Sequence, residues 1–299
     1  MLAKSGSANL RKGARTMVTI KPSFSTRQIN EALKNGGDFE FGLGTYTLDE
    51  CLVLHSNTKV NAEKAVFVRN HKGRMLQTYV SPATVKYNGV HDVEWIGGQF
   101  YAGSVTENAN VITLFHGKSI SFRGVIIDGC RGMHSVEINA CKDVLLENFL
   151  IKNQSSKKGE AFREAIQLDF ANYDGLKVKG AKPDSPCYDG THCSNIILRT
   201  CTIKSCPNGI GTHTVSKGNG YHKNISIESC VFSVHHWGIK LYGFDGCYIY
   251  HTQGDFLVGT KDVAHLNTGG KVDLSTPKRN KNIVFKHRKD YTTYKTTIE

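Results

Sequence analysis

A chain of 299 residues, 39% hydrophobic and 21% charged, with 30 glycines and 6 prolines, holds one large domain or two small ones. That composition excludes a disordered chain, a collagen-like repeat and a small disulfide scaffold. No apolar run reaches the roughly 18 residues that cross a membrane, so no membrane insertion is expected. The net charge of +12 gathers at the two ends. Lys4, Arg11, Lys12, Arg15 and Lys21 meet no acid, and seven cations after Thr276 meet only Asp290 and Glu299. The body between is nearly neutral, which argues against nucleic acid as a partner, since such binders carry a basic stripe on the folded part.

Residues 1–21 read as a basic arm. They contain no apolar h-region, so no secretory signal is expected. The expected location is therefore the cytoplasm, or outside the cell by another route, such as within a virion or tail. The first element is a helix in TRQINEALKNGG. Ser25 or Thr26 caps it, Ile29 and Leu33 share a face, and Gly36–Gly37 end it. GTYTLDECLVLHSNTKV follows as strands.

From Asp92 onward short alternating runs recur: DVEWIGGQF, SISFRGVII, DVLLENFLI, NIILRTCTI and NISIESCVF. Val93, Ile120, Val144, Ile196 and Ile225 hold the same place in each. The spacing from Val144 to Ile196 is about two periods, or one with a long insertion. A second series precedes these runs: VITLF, SVEIN, AIQLD, GIGTH and GIKLY. Paired short strands at this period, without helices between them, are the pattern of a stacked β-solenoid, with the early helix capping its open end. Cys201 and Cys230 fall in one column and are expected to stack as unbridged thiols. The nine cysteines show no CxxC and no metal spacing.

Phrases such as GVHDVEWIGGQF, GMHSVEINACKDVLLENFLIKN, GEAFREAIQLDFA, GIGTHTVSKGNGYHKNISI and WGIKLYG resemble the pectin-lyase-like superfamily, in a branch common to bacterial and phage or prophage genomes. The resemblance implies an all-β fold: a right-handed parallel β-helix over 22–270 with a short N-terminal capping helix. A basic segment, 271–299, would follow as a last coil plus tail. It also implies a polysaccharide partner and a homo-oligomer or larger virion assembly.

If alternate residues face inward, the second series presents two outward columns. One runs Thr113, Glu137, Gln167, Gly211, Lys240, and the other Phe115, Asn139, Asp169, His213, Tyr242. Strand geometry puts Glu137 and Asp169 roughly 8 Å apart at Cα. Two carboxylates flanking a sugar bond hydrolyse it, one as acid and one as nucleophile or base. Asp169 is the expected acid, Glu137 its partner and His213 an orienting or relay group. Lys240, Tyr242, Gln167 and Asn139 are expected to hold the sugar, with Asp189 and His192 on a long loop forming a groove wall. The β-helical polygalacturonases carry a His and an Arg-x-Lys on successive coils, similar to His213 and Ile239-Lys240-Leu241. Their paired aspartates on one coil and the Arg are missing here. No cofactor is expected for hydrolysis. Two alternatives stand beside it: a lyase acting by β-elimination on an acidic glycan, with Ca²⁺ held by Glu137 and Asp169, and a glycan- or receptor-binding tail protein without catalysis.

Overall fold

The structure is a computed structural model. It describes residues 16–156, 163–175, 177–212, 220–241, 243–250, 252, 256–258, 272–273, 281–286 and 293–296. The strands fall into three sheets of 11, 9 and 7 strands, with each turn of the chain placing one strand in each. One such coil runs from Val136–Asn139 in the nine-stranded sheet to Lys142–Glu147 in the eleven-stranded one. It then passes to Leu150–Lys152 in the seven-stranded sheet and returns at Glu164–Asp169. All described pairings are parallel except that of Lys281–Lys286 with Thr293–Thr296. The fold is a right-handed parallel β-helix.

Alternation decides what each strand buries. Val93, Ile120, Val144, Ile196 and Ile225 are successive register partners and all are buried. Each such side chain contributes about 1.5–3 kcal/mol by leaving water. The direct pairing of Val144 with Ile196 shows that the long interval between them is one coil with insertions. The first coils are filled by aromatic rings, Phe41, Tyr46, Phe67, Trp95 and Phe100, with neighbouring centroids 4.8–5.9 Å apart.

Sharp corners between sheets need left-handed backbone, and short polar residues supply it. Asp143, Asn195 and Asn224 stand at one corner with φ of 54° each. Their side chains hydrogen-bond up the stack, Asn224 Nδ2 to Asn195 Oδ1 at 3.1 Å and Asn195 Nδ2 to Asp143 Oδ1 at 2.8 Å. Cys201 and Cys230 share a column, and all nine thiols are unbridged.

The helix spans Thr26–Leu33, with Ser25 as N-cap in a reciprocal capping box with Gln28. The expected N-terminal arm gives up its end to the sheet. Met17–Ile20 pairs in parallel with Gly37–Phe41 because Ile20 has a core place to fill, where it is fully buried. At the other end Lys281–Lys286 pairs in parallel with Phe244–Tyr250 and so continues the eleven-stranded sheet beyond residue 270. No helix among the described residues is long and apolar enough to cross a membrane.

Candidate active site on the nine-stranded sheet

The outward columns form as the alternation requires. Thr113, Glu137, Gln167, Gly211 and Lys240 are successive register partners, and so are Phe115, Asn139 and Asp169. His213 and Tyr242, expected to extend the second column, lie outside the described residues. Gln167 Nε2 donates to Asp169 Oδ2 at 2.7 Å, and Asp169 Oδ1 meets no hydrogen-bond partner among the described residues. Asn110 Nδ2 donates to Glu137 Oε2. Lys240 Nζ lies 3.6 Å from Glu164 Oε1, so this expected sugar-holding ammonium is paired with a carboxylate.

The face is not a wet surface. Asp169 is 1% exposed and Glu137 4%. The long loop expected as a groove wall instead forms a roof. Ala171, Val178 and Cys187 pack on Phe115 and Ala140 in an apolar cluster separate from the main core. A Cβ at Gly175 would come within 2.9 Å of Asp169 Oδ2, which shows how closely the roof approaches the acid. The two nitrogens of His116 face the carbonyl oxygens of Lys86 and Cys187 at 2.6 and 2.8 Å. Asp189 Oδ2 accepts from Lys86 N at 2.7 Å, and Tyr87 Oη donates to His192 O at 2.9 Å. Asp189 and His192 thus lie where the roof is tied to residues 85–88.

Burial sets the electrostatics. It raises the Asp169 carboxyl well above the usual range, and the Glu137 and Glu164 charges push the same way against the Phe170 N–H. It raises Glu137 too, opposed by Asn139, Arg74 and Arg163, and Glu164, opposed by Lys240. Asp189 goes the other way: hydrogen bonds from Lys86 and Thr191 outweigh its burial and hold it low. Burial thus raises the proton affinity of all three carboxyls on this face, with Glu164 offset by its ion pair with Lys240. Among the described residues no group of three or more His, Cys, Asp or Glu is arranged to hold a metal.

Glu164, Asn110 and Arg74 escaped the sequence reading. Alternation puts Glu164 with the inward Ile166 and Leu168, yet its side chain runs beside Gly211 to Lys240. Asn110 and Arg74 stand just before their strands, Ile112–Phe115 and Leu76–Thr78, where period-2 logic does not reach.

No protein-family model matches the chain, and no curated protein does. The structure is similar to that of PfbA, a surface adhesin of Streptococcus pneumoniae, with TM-score 0.72 and 20% identity over 91% of this chain and 72% of that one. A second structure of PfbA, described as a Streptococcus pneumoniae surface protein and adhesin, gives 0.63 and 21% over 88% and 72%. Likeness at this identity is one of fold, and in fold the chain is a right-handed parallel β-helix protein.

Proposed function

We propose that the chain is a carbohydrate-active β-helix protein that hydrolyses glycosidic bonds at Asp169, with the roof of residues 171–193 displaced when a glycan binds. The observation that carries this reading is the Asp169 carboxyl, whose proton affinity is raised by burial and by the Glu137 charge, and whose Oδ1 meets no hydrogen-bond partner among the described residues. A protonated carboxyl gives its proton to the leaving glycosidic oxygen. Glu137, whose ionised form Asn139, Arg74 and Arg163 favour against its burial, attacks the anomeric carbon or takes a proton from the attacking water. Gln167 orients Asp169 through its 2.7 Å hydrogen bond. His213 is the proposed relay. Elimination, the alternative chemistry, would draw its base from Lys240, His213 or Tyr242, of which Lys240 is engaged by Glu164.

The depth of both carboxyls favours a second reading, glycan binding without cleavage. The likeness in fold to a surface adhesin accords with it. One experiment separates the readings. Wild type and Asp169→Asn are incubated with bacterial capsules and plant or algal polysaccharides, following reducing ends and the absorbance of unsaturated products. Hydrolysis gives reducing ends alone, and Asp169→Asn lowers the rate about 10²–10⁴-fold with folding unchanged. Unsaturated products overturn hydrolysis in favour of elimination. Binding without products selects the adhesin reading.

A further inference from the structure

The outer surface carries a second recess, which shares no lining residue with the Asp169 site. It lies where strands of the seven-stranded sheet end and the chain turns toward the nine-stranded one. Tyr101, Asp128 and Lys152 are successive register partners at those strand ends. Just beyond, Arg131 bridges Ser155 of the following coil. The recess is open to solvent and offers about 530 Å³, within the range of roughly 300–1,000 Å³ typical of small-ligand sites.

Its floor is bare backbone. Gly129 has φ +80°, and a Cβ there would come within 2.9 Å of Gly103 Cα on the preceding coil. Two glycines in contact leave the middle of the recess open, while larger side chains rise around it. Tyr101 is 41% exposed and lines the recess. Asp128 is held in place, Oδ2 by Lys152 Nζ at 3.1 Å and Oδ1 by Asn153 Nδ2 at 2.8 Å. Arg131 forms no ion pair among the described residues. With Asp128 neutralised by Lys152, Arg131 is the charge that the lining leaves to a ligand.

We propose that this recess binds an acidic sugar, seating the ring on Tyr101 and the anionic group on Arg131. The chemistry is specific to that class. A pyranose offers an apolar C–H face that stacks on an aromatic ring. Its hydroxyls match the planar Asp128 and Asn153 groups, the carboxylate accepting and the amide both donating and accepting. A carboxylate fits the guanidinium fork. Sugar units are about as long as one coil spacing, about 4.8 Å, so a short oligosaccharide lies along the coils from Tyr101 to Ser155. A small inorganic anion would use Arg131 and gain nothing from Tyr101. A peptide would find no apolar pocket beyond the tyrosine ring.

The test is calorimetric titration of the full chain with oligogalacturonates, with malto-oligosaccharides of equal length and with sulfate. Oligogalacturonates are expected to bind more tightly than either comparison ligand. Tyr101→Ala and Arg131→Gln should each weaken that binding about tenfold or more. Both positions are exposed, so unchanged far-UV circular dichroism and melting are expected. Asp169→Asn should bind as wild type does, which keeps this recess distinct from the hydrolytic site whatever becomes of the latter. Equal binding of neutral and acidic chains overturns the proposal. So does binding that survives Tyr101→Ala, binding lost only in Asp169→Asn, or no binding at all.

Discussion

His222 lies between the rings of Phe170 and Phe244, with centroids 4.3 and 5.3 Å away, and its Nδ1 accepts the Cys193 N–H at 3.1 Å. A nitrogen that accepts has no place for a second proton. Burial, aided by His192, therefore lowers its pKa from 6.5 to about 3. Between those values the unfolded chain binds a proton that the folded chain refuses. Stability should fall as pH drops through that window, by about 1.4 kcal/mol per pH unit. In His222→Phe the acid limb of a plot of Tm against pH should flatten, whatever the cost at pH 7. Asp169 carries the opposite sign. Its raised folded pKa gives stability that is fully present below the unfolded value and lost as pH rises through the folded one. Asp169→Asn should therefore flatten the loss of stability that sets in as pH rises above the unfolded carboxyl value, and an unchanged profile would show that the acid is already ionised in the fold.

At the scale of elements, the helix shows how the open end of the stack is closed. Leu52–Leu54 is the edge strand of the nine-stranded sheet. Asn30 on the helix offers Nδ2 to Cys51 O and Oδ1 to Val53 N, both at 2.9 Å, as a neighbouring strand would. One side chain thus satisfies an edge that is otherwise open to pairing with another chain. Asn30→Ala should cost about 1–3 kcal/mol, because two backbone groups lose their partner. Urea denaturation should show a lower midpoint with an unchanged m value. The Ser25–Gln28 box and the Ile29/Leu33 face were readable in the sequence because capping and amphipathicity are local rules. The role of Asn30 was not, since its partners lie 21 and 23 residues away.

For the whole molecule, each coil contacts its neighbours, so stability is close to a sum over coils and their interfaces. Ile120 and Val144 are register partners 24 residues apart. Deleting residues 120–143 joins Ser119 to Val144 in the same frame and should leave a shorter β-helix, with the β-sheet circular dichroism signal and cooperative melting at lower temperature. Deleting 120–142 instead shifts the frame by one residue and turns Val144 and Leu146 outward. That variant should not fold, and if it melts like the first, register is not what specifies the coil.

The period of the runs, the inward Val93-to-Ile225 column and the outward Glu137 and Asn139–Asp169 columns were determined by the sequence alone. Alternation along a strand and repetition between strands are written in short stretches of residues. What covers those columns was decided only in three dimensions. The roof depends on Cys187 reaching His116 and on Asp189 reaching Lys86, 103 residues earlier. No local pattern encodes such contacts, so a face that reads as wet in the sequence becomes buried in the fold. The same holds for Glu164, whose turn toward Lys240 departs from the alternation of its strand. Desolvation follows from the roof, and the raised proton affinity of Asp169 follows from desolvation. The chemistry of this face thus rests on a packing event that the outward columns do not contain.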